Sequence, residues 1–107
     1  MDKITNKRII KELKKLKKKL KEINLNKMIM FGSRARNEEL EYSDVDVIVV
    51  SKDFENLKFK QRPNKFLDSW KYPIDLEIIC YTPEEFEIKK NQIGIVQQAV
   101  KEGIEIK

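Results

Sequence analysis

The chain has 107 residues and a mass of 12.8 kDa, room for one domain with a modest core and too little for separate catalytic and substrate domains. It is 40% hydrophobic and 38% charged with three Gly and three Pro, a folding composition; the single cysteine, Cys80, excludes an internal disulfide, and the absence of histidine removes the usual zinc sites and serine or cysteine triads. The net charge of +5 is unevenly spread, since residues 1–27 hold eleven Lys/Arg against three Asp/Glu and residues 28–107 hold twelve against fifteen.

In the basic segment Ile9, Leu13, Leu16, Leu20 and Ile23 recur at spacings of four and three, predicting an amphipathic first helix with an apolar stripe and a lysine-covered outer face. Such a face is either ordinary solvated charge or a nucleic-acid-binding surface, and no aromatic interleaves the lysines for base stacking. No run is long and apolar enough for a membrane span, and the basic start does not lead into a signal-peptide core, so a cytoplasmic single domain over residues 1–107 is expected.

A compact apolar run, Met28 to Phe31, stops at Gly32-Ser33 and predicts a buried strand over 27–31 with a short helical turn after it. Val45, Val47 and Val49 then alternate with Asp44, Asp46, Ile48 and Val50, giving a strand over 44–51 with both aspartates on one face. Leu57, Phe66, Leu67 and Trp70 have helical spacing that Pro63 interrupts. A third strand over 74–81 puts Asp75, Glu77 and Ile79 on one side and Ile74, Leu76, Ile78 and Cys80 on the other. Thr82-Pro83-Glu84-Glu85 is a capping box that starts a helix to about residue 91. Ile93, Val96, Ala99 and Val100 continue with helical spacing to Gly103, after which Ile104 and Ile106 suit a short edge strand. The fold class is therefore α/β (α+β), a small mixed sheet flanked by helices. Trp70, Tyr72, Phe66 and Phe86 read as core or interface, Cys80 as a small buried residue, and Lys89 and Lys90 as helix-end charges.

The chemistry concentrates in Gly32-Ser33, a ten-residue spacer, and Asp44-Val45-Asp46-Val47. Two carboxylates two apart on a strand project side by side, a donor pair suited to hard cations. Gly32 permits close approach of backbone to a ligand, and Ser33 can offer its hydroxyl and nearby N–H groups to phosphate oxygens. Metal-binding carboxylates facing a phosphate cradle describe phosphoryl or nucleotidyl transfer.

The two segments 31–36 (Phe-Gly-Ser-Arg-Ala-Arg) and 43–50 (Ser-Asp-Val-Asp-Val-Ile-Val-Val) resemble the signature of the minimal nucleotidyltransferase branch of the DNA polymerase β-like nucleotidyltransferase superfamily. Segments 80–87 and 93–96 are similar to parts of its small archaeal members, so the likeness spans roughly residues 10–105; it departs at Asn37, where such proteins usually have Gly. The resemblance implies the DNA polymerase β-like fold and two magnesium ions held by Asp44, Asp46 and a third carboxylate, Asp75 or alternatively Glu77, which also takes the acceptor's proton. It implies a triphosphate held by Gly32 and Ser33, with Arg34, Arg36 and Ser43 counted among the substrate-binding residues, the two arginines being either phosphate contacts or surface charge. It further suggests transfer of AMP from ATP to a tyrosine of a HEPN-type helical toxin, with this chain as antitoxin. The other readings are a non-catalytic partner-binding module on the same fold and a basic nucleic-acid-binding protein.

Overall fold

A computed structural model describes residues 6–35 and 44–107. Helix α1 (Asn6–Lys19) buries Ile9, Leu13 and Leu16, and Leu20 extends the same stripe into the following turn. The lysines lie on the opposite, solvent face, where Glu12 pairs with Arg8 and Lys15. The helix ends sooner than the stripe, because the chain must turn to enter β1 (Lys27–Phe31), whose bounds match the predicted strand.

Strands β2 (Val45–Val50) and β3 (Leu76–Tyr81) start one and two residues inside their predicted limits. With β4 (Ile104–Glu105) they form a mixed sheet in the order β3-β2-β1-β4. β1 runs antiparallel to β2 and β4, whereas β2 and β3 are parallel. A parallel pair needs a long crossover. Residues between β2 and β3 supply it as two 3-10 turns (Lys52–Asn56 and Phe59–Gln61) and helix α2 (Asn64–Ser69). The helical pattern expected there is thus broken into short pieces, with Pro63 directly before α2.

Alternation on the strands makes two apolar layers. Val45, Val47, Val49, Leu76 and Cys80 face α1, Phe54 and Phe66 on one side of the sheet. On the other side Ile29, Ile48 and Val50 meet Phe86 of α3 (Pro83–Lys90) and Val96 and Ala99 of α4 (Ile95–Glu102). Burying each such aliphatic side chain contributes about 1.5–3 kcal/mol. The capping box forms as the sequence indicates, with the Glu85 N–H donating to Thr82 Oγ1 at 3.2 Å and the Thr82 N–H donating to Glu85 Oε1 at 2.9 Å. Glu85 also receives the buried Arg62 guanidinium at 2.6 Å, and Arg62 in turn donates to the carbonyls of Leu57 and Cys80. That bond holds the Glu85 carboxyl below its ordinary range. Burial pushes the Cys80 thiol up to about 12, so it serves as packing rather than as a nucleophile.

Candidate active site

Strand parity decides which side chains share a face, and pairing register decides which of them meet. Asp46 shares the α3/α4 side of β2 with Ile48 and Val50, and Glu77 shares that side of β3 with Ile79 and Tyr81. In the parallel register Asp46 lies directly abreast of Glu77. One residue nearer the strand starts, the Val45 N–H donates to the Asp75 carbonyl at 2.9 Å, so continuing that register sets Asp44 abreast of Asp75. Asp46 and Glu77 thus share the end of one sheet face, with Asp44 and Asp75 on the residues leading into the two strands: Asp44, Asp75 and Glu77 are exposed and Asp46 is half-buried.

Asp46 is the electrostatic centre of this group. Its carboxyl is pushed up to about 6, first by burial, then by a hydrogen bond and charge repulsion with Glu77, and last by the charge of Asp44. The antiparallel pairing of β1 and β2 places Phe31 opposite Asp46. The next residue, Gly32, has φ +77°, and a β-carbon there would lie 2.5 Å from Asp46 Oδ2. Glycine is therefore required twice over, by a left-handed backbone and by the carboxylate lying against its α-carbon. It opens a 3-10 turn, Gly32–Arg34, as the short helical turn expected after β1.

Of the residues singled out in the sequence, Asp46, Glu77 and Gly32 are brought into contact. Asp75 lies one residue before β3, abreast of Asp44 rather than of Asp46. The backbone of Ser33 lies in the turn after Gly32. Arg34 is wholly buried, which overturns the surface-charge reading, and its carbonyl accepts from Asn6 Nδ2 at 2.6 Å. Arg36 and Ser43 lie outside the described residues. Among the described residues no three acidic, cysteine or histidine side chains are gathered into a ready metal-binding group. The donor chemistry nevertheless suits a hard cation. The carboxylates offer oxygen only, and a divalent ion would relieve the repulsion that raises Asp46.

A small cavity of about 110 Å³ adjoins this group, walled by Phe31, Gly32, Ile95, Gln98, Ala99 and Glu102. Sequence patterning gave no sign of it, since α4 reaches the site only through tertiary packing.

A four-stranded mixed sheet with helices on both faces, an acidic pair at the start of the second strand and a glycine turn pressed against it define a nucleotidyltransferase fold. Solved structures share it. A Sulfolobus solfataricus chain described as a "putative nucleotidyltransferase" superposes with a TM-score of 0.65 at 22% identity, covering 94% of this chain and 80% of that one. A toxin-antitoxin structure with AMP-PNP superposes with a TM-score of 0.60 at 19% identity, covering 92% and 72%. In sequence, the Methanocaldococcus jannaschii protein named "Putative protein adenylyltransferase MJ0141" is 34% identical over 100 residues, 92% of this chain and 95% of that protein. Residues 13–105 match the nucleotidyltransferase domain model. The chain belongs to the nucleotidyltransferase domain family and is a nucleotidyltransferase enzyme. Among the described residues no helix is long and apolar enough to cross a membrane.

Proposed function

We propose that this enzyme is magnesium-dependent and transfers AMP from ATP to a hydroxyl of a separate protein, a tyrosine of a HEPN-type helical toxin, and so acts as that toxin's antitoxin. The observation that carries the reading is that a β-carbon on Gly32 would lie 2.5 Å from Asp46 Oδ2, so the glycine turn and the acidic group sit side by side at the end of the sheet. The relative named as a protein adenylyltransferase supports the nucleotide and acceptor class, and the fold shared with a toxin-antitoxin structure holding AMP-PNP supports the partner.

Asp44 and Asp46, with Asp75 or Glu77, would hold two magnesium ions. When bound, these supply charge neutralisation on the triphosphate and acidify the acceptor hydroxyl. Gly32 and Ser33 would present the backbone of the turn to the phosphates. The acceptor oxygen forms a bond to the α-phosphorus as the bond to pyrophosphate breaks. The third carboxylate takes the hydroxyl proton. Glu77, exposed and abreast of Asp46, has the freedom to do this.

The test is intact-mass measurement of the product of the neighbouring gene after incubation with the chain, ATP and magnesium. A gain of one adenylyl group on a tyrosine is expected. No gain with any nucleoside triphosphate would refute the reading.

A further inference from the structure

The cavity beside Gly32 differs from the carboxylate group it adjoins in having apolar walls. Phe31 and Ile95 supply these, Ala99 and Gly32 keep it open, and Gln98 and Glu102 are its polar lining residues. At about 110 Å³ it is far smaller than a site for a whole nucleotide and of the scale of one ring system. It shares Gly32 with the acidic group, because the residue that lines the cavity is the one whose β-carbon position falls on the Asp46 carboxylate. A nucleotide with its phosphates at that carboxylate therefore has this recess within reach of its base.

The residues divide the work of base recognition in the usual way. An aromatic and a branched aliphatic side chain offer flat apolar contact to a ring face. A carboxamide offers one acceptor and two donors in a plane. Gln98 is exposed on α4; its backbone N–H donates to the Gly94 carbonyl at 3.1 Å, and its carboxamide makes no hydrogen bond to a described residue. On a purine the pairing that a carboxamide makes best is with adenine, donating to N7 and accepting from the N6 amino group. Guanine presents two acceptors on that edge and is served by arginine instead.

The geometry points to Gln98 as the residue that selects the base: the cavity between the Gly32 turn and α4 takes the adenine of the donor nucleotide, between Phe31 and Ile95, with Gln98 on its N6/N7 edge. This deepens the proposed function and rests on a nucleoside triphosphate being the donor, but not on the acceptor's identity.

The test is titration calorimetry of non-hydrolysable ATP and GTP analogues with magnesium, on the wild-type chain, Gln98→Ala and Gln98→Arg. Because Gln98 is exposed, all three should fold, and their melting curves check this. The wild type should prefer the ATP analogue. Gln98→Ala should lose about tenfold of that preference, and Gln98→Arg should shift it toward the GTP analogue. An unchanged ATP-to-GTP ratio in both variants overturns the assignment of Gln98 while leaving adenylyl transfer intact. Normal Gln98-dependent ATP binding without transfer to any protein would instead overturn the acceptor reading and uphold this one. Failure of the wild type to bind either analogue overturns both.

Discussion

Replacing Gly32 with alanine isolates the contact on which the site depends. The substitution has two separable effects. The backbone at φ +77° disfavours any side chain, an effect of about 1–2 kcal/mol, which for a domain of this size corresponds to a melting temperature lower by roughly 4–16 °C. The new methyl would also lie 2.5 Å from Asp46 Oδ2, where ordinary contacts begin at 3.4 Å, so the carboxylate must retreat by 0.9 Å, the difference of the two. A displacement of that size in a catalytic group lowers turnover by about 100-fold. Gly103→Ala is the control, since its β-carbon would lie 2.6 Å from Ile29 Cγ2 and press on the Ala99 carbonyl, away from the carboxylates. Overpacking there should destabilise by about 1–3 kcal/mol with little loss of turnover in the folded fraction. Thermal melts and nucleotide-transfer rates, measured below both melting temperatures, read the two effects. Equal transfer rates for wild type and Gly32→Ala would refute the claim that this contact shapes the site.

Four further outcomes follow from the packing and charge. Asp46 has a carboxyl raised from 3.8 to about 6, so the folded state holds its proton more tightly than the unfolded state between those values; stability of the metal-free protein should fall as pH rises from about 4 to 6, and Asp46→Asn should flatten that slope and raise the melting temperature at pH 7. Magnesium should restore stability to the wild type at pH 7 and not to Asp46→Asn, as followed by melting curves with and without the ion. Leu13→Ala removes a wholly buried side chain between α1 and the sheet and should destabilise by about 2–5 kcal/mol in denaturant titration. Arg62→Met leaves the Leu57 and Cys80 carbonyls without their donor and frees Glu85, so a loss of about 1–3 kcal/mol is expected, together with a rise of the Glu85 carboxyl toward its ordinary range by NMR titration.

The sequence reading succeeds wherever the deciding physics is local. The alternation of β2 separates Val45, Val47 and Val49 from Asp46 and Ile48, and the structure keeps that division between two apolar layers. The Thr82 capping box depends on four adjacent residues and forms as read. Where the outcome depends on partners distant in the chain, the pattern is silent. Parity could place Asp75 and Glu77 on the face of Asp46, but only the parallel register decides that Glu77 lies abreast of it. Arg34 follows a glycine turn that looks exposed, and its burial comes from packing no local pattern encodes. The two residues of β4 are too few to carry a period, and they pair because the Gly103 terminus of α4 delivers them to the free edge of β1. Likewise no local pattern marks Gln98 and Ile95, which only the packing of α4 lays beside Gly32.

The central claim is that Asp46 serves chemistry rather than folding, and transfer of label from α-labelled ATP to the partner protein, compared between wild type and Asp46→Asn, tests it most directly. The substitution nearly preserves shape while removing a charge that the fold itself disfavours. Wild type should label the partner in the presence of magnesium, and Asp46→Asn should give none while melting at a higher temperature. Equal labelling by the two proteins would contradict the account.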